Sequence, residues 1–233
     1  MARRSRPALL ARNAPLVFPN PSGADSEGLV AIGGDLSTER LLAAYEQGIF
    51  PWYSEGLPPM WWSPDPRTVM DPAHLHVSRS LARELRRGRF RVTFDRAFQA
   101  VMLECGRERD DGTWITNDML AAYVELHRRG HAHSFEVWNG ERLVGGLYGV
   151  HRGALFAAES MFHRETNASK VALAVSVESL FAAGIELFDV QFLTPHLESL
   201  GAYELPRHDY LARVADAKRK LVHLSNVPLV SHT

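Results

Sequence analysis

The chain has one cysteine in 233 residues, Cys105, so no intrachain disulfide can form and a reducing compartment is expected. It also lacks any apolar run approaching the ~20 residues that span a bilayer, so no membrane association is expected. The basic start, Met1-Ala2-Arg3-Arg4-Ser5-Arg6-Pro7, is followed by an apolar stretch broken at Arg12 and Pro15. That pattern argues against a secretory signal and makes a cytoplasmic protein the expectation. A net charge of −1 excludes a global affinity for nucleic acid, so any basic surface must be local. No serine occupies a G-x-S-x-G elbow and no G-x-x-x-x-G-K-S/T loop occurs, so serine hydrolases and nucleotide-cleaving enzymes lack their signatures here. There is no internal repeat and no low-complexity tract. What remains is an ordinary mixture, 45% hydrophobic and 23% charged, able to bury a sizeable core.

The most informative stretch runs from Leu143 to Phe192. Gly145–Val150 reads as a strand that turns at Arg152-Gly153 and returns through Ala154–Phe162. Upstream, His133–Trp138 alternates as a strand, and Asn139-Gly140 is a strong hairpin signal leading into Arg142–Val150. Together these predict a three-stranded meander. A helix follows from Asn167 to Ala183, and then a short buried strand over Ile185–Phe192, beginning after the helix-stopping Gly184. Strand side chains alternate, so Asp189 and Gln191 are expected on one face, about 7 Å apart. Glu159 lies in another apolar run. A carboxylate in such surroundings costs several kcal/mol unless it has a partner, so Glu159, Asp189 and Gln191 are the candidate catalytic groups. A polar network tying strands together is the alternative for all three.

Before this stretch, residues 13–66 are rich in proline, glycine and aromatics. Ser37 is placed to cap a helix over Thr38–Gln47, stopped by Gly48. Trp52, Trp61 and Trp62 fall within eleven positions and are stiffened by prolines. They read either as the core of a small domain or as a wall on which a planar base stacks. Residues 78–91 supply the local basic patch. As a helix they put Arg79, Arg83, Arg86 and Arg87 on one face, with Leu81 and Leu85 turned inward. A stripe of one sign favours a phosphate backbone, which it would position without reading sequence, with a solvated face as the alternative. Asp95–Cys105 reads as a helix holding Cys105 as a buried thiol, and Asn117–Arg129 as another, framed by Trp114 and Tyr123 and ended by Gly130. The histidines at 127, 131 and 133 are separated by Gly130, so no metal site is expected.

The order meander, helix, strand resembles the core of acyl-N-acyltransferase (GNAT-like) folds. Members that use coenzyme A carry a glycine-rich loop before the helix, whose amides hold pyrophosphate. Here that position reads His163-Arg164-Glu165-Thr166-Asn167-Ala168-Ser169-Lys170, without glycine. Coenzyme A is therefore not the expected donor, and the arginine stripe points to an acyl group carried on RNA. The chain further resembles the leucyl/phenylalanyl-tRNA–protein transferases over residues ~15–210. The matching blocks are Gly28–Leu36, Gly48–Trp52, Trp61–Arg67, Gly112–Thr116, His131–Ser134, Glu159–Phe162 and Asn167–Lys170. It departs at Ser176, where a bulky apolar residue of the substrate pocket is expected.

The resemblance implies an α+β chain with a small N-terminal domain (1–66) packed on a GNAT-like mixed-sheet catalytic domain (67–233). It implies transfer of Leu or Phe, and Met less well, from aminoacyl-tRNA to the α-amine of proteins with N-terminal Arg or Lys, marking them for N-end rule degradation. Asp189, Gln191, Glu159, Trp52, Trp114 and Tyr123 match active-site positions, and Arg79, Arg83, Arg86 and Arg87 match a cluster that holds the acceptor stem. Leu147, Phe156 and Met161 are the candidates for the apolar slot. An aminoacyl ester is already activated, so no cofactor or metal is implied, and a monomer is expected. Two rivals remain at this point: an acyltransferase with a different donor, such as a coenzyme A thioester, and a tRNA-binding module without catalysis.

Overall fold

The computed structural model describes residues 6–107 and 115–230. The N-terminal part forms a four-stranded sheet from β1 (Ala8–Leu10), β2 (Leu29–Gly33), β3 (Phe50–Pro51) and β4 (Met60–Trp62), ordered β1-β2-β4-β3. Between β2 and β3 runs α1 (Thr38–Tyr45), capped as the sequence predicts by the Ser37 hydroxyl, which accepts from the Arg40 amide. Gly48 then reverses the chain with φ of +71°. A Cβ there would stand 2.8 Å from the Tyr210 ring, so both the conformation and the space call for glycine.

The larger sheet has seven strands: β5 (Arg67–Met70), β6 (Arg91–Phe94), β7 (Ala132–Asn139), β8 (Arg142–Arg152), β9 (Leu155–His163), β10 (Leu187–Gln191) and β11 (Tyr203–Leu205). Their order is β11-β5-β10-β9-β8-β7-β6. The meander β7-β8-β9 is antiparallel throughout, and β10 joins β9 in parallel after a crossover through α5 (Ala168–Ala182). This is the mixed sheet of a GNAT-like fold, with the N-terminal sheet packed on it. α5 buries its apolar residues against one face, where Phe135, Leu147, Phe156 and Phe188 meet it. The opposite face carries Tyr148, Val150 and Ala157, which pack with α1, α3 (Phe98–Cys105), α4 (Asn117–Arg128) and Trp61. Period-two alternation therefore sends Leu147 to one layer and Tyr148 to the other. α2 (Arg79–Arg86) rests on α5 through the buried Leu81, α6 (Pro195–Glu198) follows β10, and α7 (Arg207–Ala217) covers β5 and β10 through Tyr210 and Val214. The two sheets are tied by Arg207, which donates to Ala24 O at 2.6 Å and Ser63 O at 2.7 Å.

Three local expectations change. The helix predicted from Asp95 starts at Phe98, because Asp95 adopts φ of 56° and its carboxylate binds the Ser134 amide and His133 Nδ1 instead. The helix expected from Asn167 starts at Ala168, because Asn167 takes a left-handed conformation, where it makes no side-chain cap. β10 is shorter than Ile185–Phe192, ending at Gln191 where the chain bends.

Candidate active site

The parallel pairing of β9 and β10 ends at Asp189 opposite Ala157. Beyond that point the two strands part. Residues Ala158, Glu159, Ser160 and Met161 on one side and Val190 and Gln191 on the other line the gap. The divergence is enforced within β10. A bulge falls between Asp189 and Gln191 against β5, and Gln191 takes φ of 59°, a conformation costly for a side chain with a Cβ.

Two acids flank this gap in opposite circumstances. Asp189 is fully buried and accepts from Arg67 Nε at 2.8 Å and Nη2 at 2.6 Å, a bidentate ion pair. Tyr210 OH donates to it at 3.0 Å, and so does the Gln191 main-chain N–H at 3.0 Å. Arg67 in turn lies between the rings of Phe50 and Tyr210 and donates to Gly48 O. Burial disfavours the Arg67 charge, but Asp189 beside it outweighs that and holds the guanidinium protonated.

Glu159 has no such cation in contact among the described residues. Its Oε1 accepts from Tyr45 OH at 2.7 Å, its Oε2 lies 3.3 Å from Tyr123 OH, and the two hydroxyls are 2.6 Å apart. Each tyrosine has one proton to give. Three contacts among these groups therefore need a third proton, which the carboxyl supplies when neutral. Burial pushes the Glu159 pKa up to about 8, against the hydrogen bonds of Tyr45 and Tyr123 and with the repulsion of Asp189. Glu159, half-buried where it lines the gap, is thus held toward its neutral form beside a ring of hydroxyls.

The gap opens into a neighbouring cavity of about 250 Å³, lined by Phe50, Trp52, Glu159, Gln191, Phe192 and Leu197 among others. Trp52 and Phe192 stand at its mouth, 44% and 39% exposed, with ring centroids 5.5 Å apart. Of the three tryptophans read together in the sequence, Trp61 is core, while Trp52 faces the cavity and Trp62 packs on it. Leu147 and Met161 line the gap with Leu173 and Val190. One end of the Gln191 carboxamide is buried there without a hydrogen-bond partner among the described residues.

Several placements correct the sequence reading. Asp189 and the Gln191 side chain, expected on one face, do not meet; Asp189 binds the Gln191 main-chain N–H. The bulge breaks the alternation, and a buried carboxylate takes the nearest cation, so Asp189 reaches Gln191 only through the main chain. Tyr123 is fully buried behind Glu159, so it holds that acid and offers no exposed ring. Phe156 packs on Phe188 in the α5 layer, two residues below the point where the strands part. Trp114 lies outside the described residues. Arg79, Arg83, Arg86 and Arg87 are all exposed along α2, which leaves their charge available to solvent or a ligand. The reading missed Tyr45, Arg67 and Tyr210. Arg67 opens an otherwise buried strand, and a lone cation there was the available signal. Nothing local marks Tyr45.

Comparison with known proteins identifies the family. The family model for leucyl/phenylalanyl-tRNA protein transferase matches residues 69–215, and the model for that family's N-terminal domain matches residues 34–65. A leucyl/phenylalanyl-tRNA–protein transferase of Anaeromyxobacter sp. (strain Fw109-5) is 58% identical over 203 residues, covering 86% of each chain. The chain belongs to the leucyl/phenylalanyl-tRNA protein transferase family. A further relative of that name, from Citrobacter koseri, is 51% identical over 207 residues and 88% of each chain. As a member of this transferase family the protein is an enzyme that moves an aminoacyl group from tRNA to protein. Among solved structures, a GCN5-related N-acetyltransferase from Kribbella flavida aligns with a TM-score of 0.39 at 9% identity, over 71% of this chain and 59% of that one. Among the described residues no helix is long and apolar enough to cross a membrane.

Proposed function

We propose that the enzyme transfers Leu or Phe, and Met less well, from charged tRNA to the α-amine of proteins that begin with Arg or Lys, marking them for N-end rule degradation. It does so as a cytoplasmic monomer whose residues 1–66 and 67–233 form two domains. The observation that carries this reading is the Gln191 Nε2, without a hydrogen-bond partner among the described residues at the parting of β9 and β10, beside an apolar gap and an aromatic cavity. The aminoacyl side chain enters the gap at Leu147 and Met161, and the terminal adenine stacks on Trp52. Methyl-scale discrimination in such a gap is worth only ~1–3 kcal/mol, which fits tolerance for several apolar side chains. Arg79, Arg83, Arg86 and Arg87 hold the acceptor stem by its phosphates.

In the reaction the amine nitrogen attacks the ester carbonyl, the C–N bond forms and the bond to the ribose oxygen breaks. The amine has a reference pKa near 7.7–8.0 and must arrive neutral. An amide is a weak base, so Gln191 positions the nitrogen while the departing ribose oxygen takes the proton. The Arg67–Asp189–Tyr210 cluster acts through the backbone, holding the bend that aims Gln191. Glu159, neutral and fixed by two tyrosines, presents a hydrogen-bonding wall opposite.

The test mixes the protein with radiolabelled leucyl-tRNA and peptides beginning with Arg, Lys or Ala. Label should reach the first two alone, and ribonuclease pretreatment should abolish it. Salt-sensitive RNA binding without labelled peptide would leave a binding module as the answer.

A further inference from the structure

A second and larger cavity, about 570 Å³, opens beside the junction of β9 and α5. It shares Ser160, Met161 and Leu197 with the apolar gap and Thr194 and Leu197 with the aromatic cavity, so the three are contiguous around Leu197. Its lining is cationic. Arg107, Arg164, His163 and His196 face it, and Glu104 is the one acid among its described lining residues. Glu104 is shared by Arg164 Nε at 2.6 Å and Arg107 Nη1 at 3.5 Å, which leaves one positive charge over. Burial, and then the nearby charge of Lys170, push the His196 pKa down, so His196 enters this lining as a ring and the positive charge comes from the arginines. Glu165, the other acid of this junction, is already engaged on its far side by Arg89 at 3.2 Å and Arg142 at 3.0 Å. Arg89 follows α2 and pairs with both Glu84 and Glu165 at 3.2 Å, which ties the end of the arginine stripe to the residue next to Arg164.

We propose that this cavity receives the phosphodiester-linked nucleotides immediately upstream of the aminoacylated one. The inference rests on transfer from charged RNA as the activity. A single strand leaving the aromatic cavity needs cations for its phosphates and flat rings for its bases, and the arginines and imidazoles of this lining supply both. An acceptor with a basic first residue is repelled from the same lining, and so docks elsewhere.

Two substitutions of opposite sign test it. Arg164→Gln removes a cation and should raise KM for charged tRNA about three- to tenfold, with the dependence of log KM on log salt falling by ~0.7, the share of one single-stranded phosphate. Glu104→Gln removes the acid and should lower the same KM. Aminoacylated adenosine, which has no upstream phosphate, should show the same KM in both variants as in wild type. If Arg164 and Glu104 only brace each other, both changes raise KM for tRNA, and the proposal is overturned. It is equally overturned if KM rises for the acceptor peptide instead, or if neither variant moves KM for tRNA while wild-type transfer is intact. Absence of transfer from charged tRNA by the wild type itself would remove the activity, and the proposal with it.

Discussion

Asp189 and Glu159 stand on neighbouring strands, either side of one gap, and their surroundings make them different chemical objects. Asp189 meets a guanidinium, an aromatic hydroxyl and a main-chain amide, so it forms an ion pair that braces the backbone. Glu159 meets only hydroxyls, so it keeps its proton to about pH 8 and borders the reactive space. Burial alone therefore does not define a buried acid's role. The partner decides whether it serves the frame or the cavity.

The comparison breaks most visibly at Asp189. Asp189→Ala leaves Arg67 buried without its counter-ion and should cost about 3–5 kcal/mol of stability, read from urea melts followed by circular dichroism. Wild-type stability in that variant would mean that the ion pair is not the brace. On the cavity side, Trp52→Ala should leave the melt nearly unchanged, because the ring is half exposed. It should raise KM for the aminoacyl donor about tenfold, the share of a stacked base.

Glu159→Gln sharpens the contrast through pH. Folded Glu159 holds its proton up to about pH 8, whereas the unfolded chain releases it near 4.5. The wild type therefore loses stability as pH rises between those values, and the loss levels off above pH 8. The glutamine variant has no such slope. Its melting temperature relative to wild type should climb from pH 5 to pH 8, by about 4 °C or more, and a gap that stays constant would contradict the neutral acid. The smallest effect belongs to Tyr45→Phe. It removes a hydrogen bond that holds the Glu159 pKa down, so the carboxyl midpoint in a carbon-13 NMR titration should move upward, with a stability loss of about 1 kcal/mol.

Much of the fold was legible because its signals are local. The Asn139-Gly140 turn joins β7 to β8, Gly48 ends the chain reversal after α1, and the apolar run after Gly184 becomes β10. The acids worth noticing were legible too, since a carboxylate within an apolar run stands out. Their partners were not. Arg67 and Asp189 are separated by 122 positions, and Tyr45 and Glu159 by 114. Periodicity also misplaced the Asp189 and Gln191 side chains, because it assumes a regular strand and the bulge makes this one irregular.

By itself the sequence determined the order of elements, the one-signed face of α2 and the presence of two acids in apolar strands, all of which follow from neighbours a few residues apart. Only the tertiary structure decided that one acid would face a cation and the other a pair of hydroxyls. A buried group's charge depends on what excludes water around it, and here that comes from layers contributed by both ends of the chain.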